Sequence, residues 1–86
     1  MMKKAKFLAA SLRDRIKIIQ EEGNYLATRV NDHYYIKLYT WRGHYVEVWS
    51  SSHLPWQDVV KVKIFNDFRF LEPYLPNVFF SEMKYT

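Results

Sequence analysis

The sequence predicts an α+β domain in which an N-terminal helix packs on one face of a three- or four-stranded antiparallel meander, followed by an aromatic C-terminal segment with a short helical turn. Two observations point to this class. From Lys3 to Glu22 there is neither Pro nor Gly, and apolar side chains recur at three-and-four spacing. After Asn24 the period drops to two, in segments rich in Tyr, Val, Ile, Thr and Trp that are bounded by turn residues. Length sets a bound as well, since 86 residues fit one domain, 1–86, around a single core. At 49% hydrophobic and 19% aromatic, the chain carries the apolar area that an ordered small domain needs and a disordered chain lacks.

The helix stripe is Ala5, Leu8, Ala9, Leu12, Ile16 and Ile19, with Phe7 and Ile18 on its far side, free to meet a second surface. Gly23 and Asn24 end the helix, glycine being favoured there because it tolerates positive φ. Two starts are open. The helix either runs from Lys3, or Ser11-Leu12-Arg13-Asp14 caps it so that it begins at Leu12 and leaves residues 2–10 as a separate segment.

Strands are expected at Tyr25–Val30, Tyr34–Thr40 and His44–Ser50, joined at Asn31-Asp32-His33 and Trp41-Arg42-Gly43. Residues opposite one another in an antiparallel pair share a face, so loop length decides which side chains meet. A two-residue turn at Arg42-Gly43 would set Ile36 against Trp49 and Leu38 against Glu47, mixing core with charge. A three-residue loop, Trp41-Arg42-Gly43 with Gly43 left-handed, sets Ile36 against Val48, Leu38 against Val46, Lys37 against Glu47, Tyr35 against Trp49 and Tyr39 against Tyr45. Like meets like in every pair, and this register is the one predicted. The same rule at the first hairpin puts Leu26 opposite Leu38, Thr28 opposite Ile36 and Arg29 opposite Tyr35.

A fourth strand is expected at Val59–Phe65, where Val60, Val62 and Ile64 alternate with Lys61, Lys63 and Phe65. A helix beginning at Pro55 competes for this stretch, but the β-branched run and the strict alternation favour a strand. Beyond it Phe68, Phe70, Leu71, Tyr74, Leu75, Val78, Phe79 and Phe80 form an aromatic tail. Pro73 and Pro76 keep it from being one long helix, and a helical turn is expected over Glu72 to Leu75.

With that register the sheet has an aliphatic face, Leu26, Ile36, Leu38, Val46, Val48, Val60, Val62 and Ile64, which the helix covers. Its opposite face carries Arg29, Tyr35, Lys37, Tyr39, Trp41, Tyr45, Trp49, Lys61 and Lys63, with Tyr25, Glu47 and Phe65 among them, and is the candidate interaction face. Flat rings alternating with cations can stack unpaired bases and contact phosphates. They also pack well against a protein, a second copy or the aromatic tail. The expected role is therefore that of a small non-enzymatic domain acting through protein–protein contact or self-association, with a homodimer as one form. Single-stranded nucleic-acid binding through this face is the alternative.

Chemistry finds little purchase elsewhere. No catalytic residue, metal ligand set or cofactor site is assigned. His33, His53 and Asp32 at one end of the strands form a conceivable metal set, but loop histidines are usually solvated turn residues. Ser50-Ser51-Ser52-His53 with Asp58 holds the letters of a hydrolase triad without an oxyanion motif. Lys6, Arg13 and Lys17 share one helix flank that reads as the solvated side. The net charge of +4 permits an anionic partner without requiring one, and the absence of cysteine fits a reducing compartment. Lys6 interrupts any leader-like start, and no segment reaches the length of a membrane span. A cytoplasmic protein without membrane contact is expected.

Overall fold

The structure, a computed structural model, describes residues 4–65 and 67–74. Helices α1 (Lys4–Ala9) and α2 (Leu12–Glu22) precede strands β1 (Asn24–Asn31), β2 (Tyr34–Trp41), β3 (His44–Ser50) and β4 (Val59–Phe65), and a 3-10 helix, η1 (Phe68–Tyr74), follows. The strands form one antiparallel sheet in the order β1-β2-β3-β4, with α2 packed on one face. The α+β class and the fourth strand stand as predicted. The turn expected over Glu72–Leu75 is the end of the longer η1, which contains Pro73, while Leu75, Val78, Phe79 and Phe80 lie outside the described residues. No helix among the described residues is long and apolar enough to cross a membrane.

The helical segment is broken where the capping alternative put the break. Ser11 has an extended backbone, and its Oγ accepts a hydrogen bond from the Asp14 amide at 3.1 Å, which satisfies one of the free donors at the start of α2. The break resets the helical phase. Ala5, Leu8, Ala9 and Leu12, expected on the buried stripe, are exposed, whereas Phe7 is buried against Trp41 with ring centroids 4.9 Å apart. Only Ile16 and Ile19 of the stripe reach the core.

Arg15 holds this corner together. Its guanidinium donates to the carbonyl oxygens of Phe7 (3.0 Å) and Leu8 (2.6 Å) at the end of α1, and to that of Val62 on β4 (2.9 Å). The Phe7 carbonyl also accepts from the Ala10 amide at 3.1 Å, so Arg15 adds a second donor there and a donor to the Leu8 carbonyl at the end of a helix too short to supply its own. Gly23 closes α2, but not through positive φ: its backbone is extended at φ −78°. A Cβ there would lie 2.8 Å from both Cγ2 and the carbonyl oxygen of Ile19, so close approach is what requires glycine.

Both hairpins depart from the predicted register. Trp41 pairs with His44, so the β2–β3 turn is the two residues Arg42 and Gly43, with φ of 49° and 79°. Positive φ at both positions gives a tight turn whose twist matches the strands. Leu38 therefore stands opposite Glu47, Ile36 opposite Trp49, Lys37 opposite Val48 and Tyr39 opposite Val46. At the first hairpin Asn31 pairs with Tyr34, Arg29 with Ile36 and Thr28 with Lys37, and a bulge between Tyr25 and Ala27 absorbs Leu26. Pairing by chemical likeness failed for β2 because it counted only the two strands. The charge of Glu47 is satisfied by groups from β1, β3 and η1.

The slip of one residue turns β2 over relative to β3. Under the helices lie Tyr39, Trp41, Val46, Val48, Val62 and Ile64 with Phe7 and Ile19. On the other side Leu38, Phe65, Leu71 and Tyr74 form a second cluster, flanked by Leu26, Ala27 and Tyr45. Val60, expected in the core, sits at a bulge in β4 and is exposed.

Candidate interaction surface

The residues expected on one aromatic and basic face divide between the two faces. Tyr35, Lys37, Tyr39 and Trp41 point to the α2 side, as their ladder partners Ser50, Val48, Val46 and His44 do. Arg29, Tyr45, Trp49, Lys61 and Lys63 point to the η1 side. Tyr39 and Trp41 are core residues. Trp41 Nε1 donates to Glu22 Oε1 at 3.1 Å, and Arg42 binds the same carboxylate, so Glu22 titrates below its ordinary value chiefly because of the Trp41 bond and then that of Arg42.

On the η1 side, Glu47 is 4% exposed in the middle of the sheet. Arg29 Nη2 and the Tyr74 hydroxyl donate to its Oε2 at 3.1 and 2.7 Å, and Trp49 Nε1 donates to its Oε1 at 3.2 Å. Buried charge is tolerated only when paired and hydrogen-bonded, and this carboxylate is both. The guanidinium of Arg29 lies 5.4 Å from the ring centroids of both Trp49 and Tyr74. Burial, and then the bond to Glu47, hold the Tyr74 hydroxyl well above its ordinary pKa. The network fastens η1 to the sheet and was missed at the sequence level. A lone Glu within an alternating strand was its only signal.

Beside the network is an open cleft of about 450 Å³ between Trp49 and Lys63 on the sheet and Phe70 and Pro73 on η1. Lys61 Nζ lies 3.9 Å from the Trp49 ring centroid and Lys63 Nζ 5.1 Å from that of Phe70. Neither lysine forms an ion pair among the described residues, while Arg69 is bound to Asp67.

The sheet edges differ. On β4 a carbonyl is taken by Arg15, Val60 forms a bulge, and Lys61 and Lys63 are exposed. On β1, among the described residues, no backbone hydrogen bond is made beyond the β1–β2 ladder. Tyr25 and Val30 on this strand are 56% and 67% exposed, with Tyr34 exposed beside them. This edge went unremarked in the sequence, because strand order sets which strands are outermost.

His33 and His53 are exposed, and His53 packs edge-on to Tyr35 with centroids 6.0 Å apart. Among the described residues no group of three or more His, Asp or Glu is placed to hold a metal ion. Ser52 Oγ accepts a hydrogen bond from the Leu54 amide and Ser50 is buried, so two of the serines shape the 51–58 connection and its entry. Compared with family models, curated proteins and solved structures, the chain matches none of them.

Proposed function

We propose that this protein is a non-enzymatic docking domain of the cytoplasm that works by protein–protein contact through the outer edge of β1. What supports the reading is the unequal treatment of the two edges. Natural sheets blunt an edge with charges, bulges or covering groups, and β4 has all three, in Lys61 and Lys63, the bulge at Val60 and the Arg15 side chain. Among the described residues, the outer edge of β1 has no backbone hydrogen bond beyond the β1–β2 ladder, and it displays Tyr25 and Val30. Strand addition to such an edge draws affinity from main-chain hydrogen bonds and selectivity from alternate side chains.

The test is a screen of extended peptides against the labelled protein, followed by Val30→Lys and Val60→Lys. Peptides that bind the wild type and the Val60 variant but not the Val30 variant support the β1 edge. Binding lost equally in both, or in neither, overturns it.

Single-stranded nucleic-acid binding keeps one specific observation in its favour, the ring–cation strip of Trp49, Lys61, Lys63 and Phe70. Titration of mixed-sequence oligonucleotides, followed by tryptophan fluorescence, tests it. Affinity that falls steeply with salt and drops on Trp49→Ala supports it, and no binding at low salt removes it.

A further inference from the structure

We propose that the strand received by the β1 edge is β1 of a second copy, paired antiparallel about a two-fold axis at Thr28 to make a continuous eight-stranded sheet. The inference rests on the reading of the β1 edge as the docking site and names its occupant.

Three observations single out a second copy. The first is the pattern of side chains on the helix-facing side of β1. Tyr25, Thr28 and Val30 share that side, as their ladder partners Tyr39, Lys37 and Tyr35 show, and the bulge between Tyr25 and Ala27 absorbs the extra residue between Tyr25 and Thr28. Thr28 is thus the midpoint of that row. An antiparallel copy centred on Thr28 sets Tyr25 of each chain beside Val30 of the other, once on each side of the axis. Aromatic and β-branched residues are favourable cross-strand neighbours, and a two-fold interface uses each contact twice. Both side chains are largely exposed in the single chain, so the pairing removes the apolar surface that the edge displays.

Charge is the second observation. The chain carries a net charge of +4, so two copies repel unless they meet where that charge is absent. Within Asn24–Asn31 the only Lys, Arg, Asp, Glu or His is Arg29, and its guanidinium is turned inward onto Glu47. The edge is therefore close to neutral. It has no exposed cation to attract an acidic partner strand and none to repel its own copy.

The third is the condition of the opposite edge. Because β4 is closed by Arg15, its bulge and its lysines, strand pairing cannot continue from that side. One open edge and one closed edge give a closed dimer rather than a growing fibre.

The experiment is sedimentation velocity of the full chain over a concentration series, with circular dichroism to confirm that each variant is folded. Wild type is expected to pass from monomer to dimer as concentration rises. Val30→Lys, which removes the apolar partner of Tyr25 twice in the dimer and adds like charge to two cationic copies, is expected to weaken association by roughly tenfold or more, and Val60→Lys to leave it unchanged. Hydrogen exchange gives a second readout, with those amides near Thr28 that point away from β2 expected to become more protected as concentration rises. A wild type that stays monomeric overturns the proposal, as does a dimer indifferent to Val30→Lys. If the outward-pointing β1 amides are protected at every concentration in a monomer, another segment of the same chain is the occupant and the second copy is excluded. A monomer that still captures extended peptides in a Val30-dependent way leaves the docking reading standing and removes only the dimer.

Discussion

The two faces of the sheet are built on opposite principles. Toward α1 and α2 the contacts are apolar: Phe7 on Trp41, and Ile19 among Tyr39, Val46, Val48, Val62 and Ile64, with the indole N–H of Trp41 led to Glu22 at the margin. Toward η1 an aliphatic patch around Leu38 and Leu71 adjoins the Glu47 carboxylate with its donors Arg29, Trp49 and Tyr74. An apolar face tolerates small shifts of its parts, because the hydrophobic effect has no direction. A buried charge does not, because removing any one partner leaves another unsatisfied. The 3-10 helix, too short to bury a wide stripe, relies on the directional network, whereas the longer α2 relies chiefly on apolar contact, with Arg15 as its directional tie to β4.

The sharpest way to break the contrast is Glu47→Ala, which leaves the Arg29 cation without its carboxylate. Chemical denaturation is expected to show a loss of about 3–5 kcal/mol. In that background Arg29→Ala should cost much less than it does alone, which a double-mutant cycle would measure. Additive costs would mean that the network does not act as a unit. On the apolar side Phe7→Ala is expected to cost about 3–5 kcal/mol through the cavity it opens beneath Trp41, with the Tyr74 environment left unchanged in NMR spectra.

Arg15→Ala should cost about 1–3 kcal/mol, because it strips a donor from α1 and β4 carbonyls together. Gly43→Val, at φ +79° with open space around it, tests backbone strain alone and is expected to cost about 1–3 kcal/mol in thermal denaturation.

The smallest effect concerns pH. The folded state holds Tyr74 above its ordinary pKa and so favours the neutral hydroxyl. Its contribution is complete below the unfolded value near 10 and is lost as pH rises beyond it. Wild-type stability should therefore fall in alkaline solution more steeply than that of Tyr74→Phe. Parallel profiles for the two proteins would show that Tyr74 does not carry the linkage.

Much of the fold was legible without coordinates. The change of period after Asn24, the alternation through Val59–Phe65 and the Ser11 cap are local patterns, and each fell where local chemistry put it. Phe7 was misplaced because one continuous helical phase was carried through Ala10 and Ser11, where the backbone restarts. The candidate site suffered more. Trp49, Lys61 and Lys63 do share a face, because β3 and β4 were placed correctly relative to each other, while Tyr39 and Trp41 are buried under the helices.

By itself, the sequence determined the helical stretch before Gly23, the four strands, their order along the chain and the positive φ at Gly43, since these depend on residues near in the chain. Only the tertiary structure decided the faces. Facing is a relation between strands, and a turn shorter by one residue reverses every side chain of β2 against β3. Whether Glu47 could occupy the interior depended on Arg29 and Tyr74, 18 and 27 residues away along the chain, which no spacing rule connects to it.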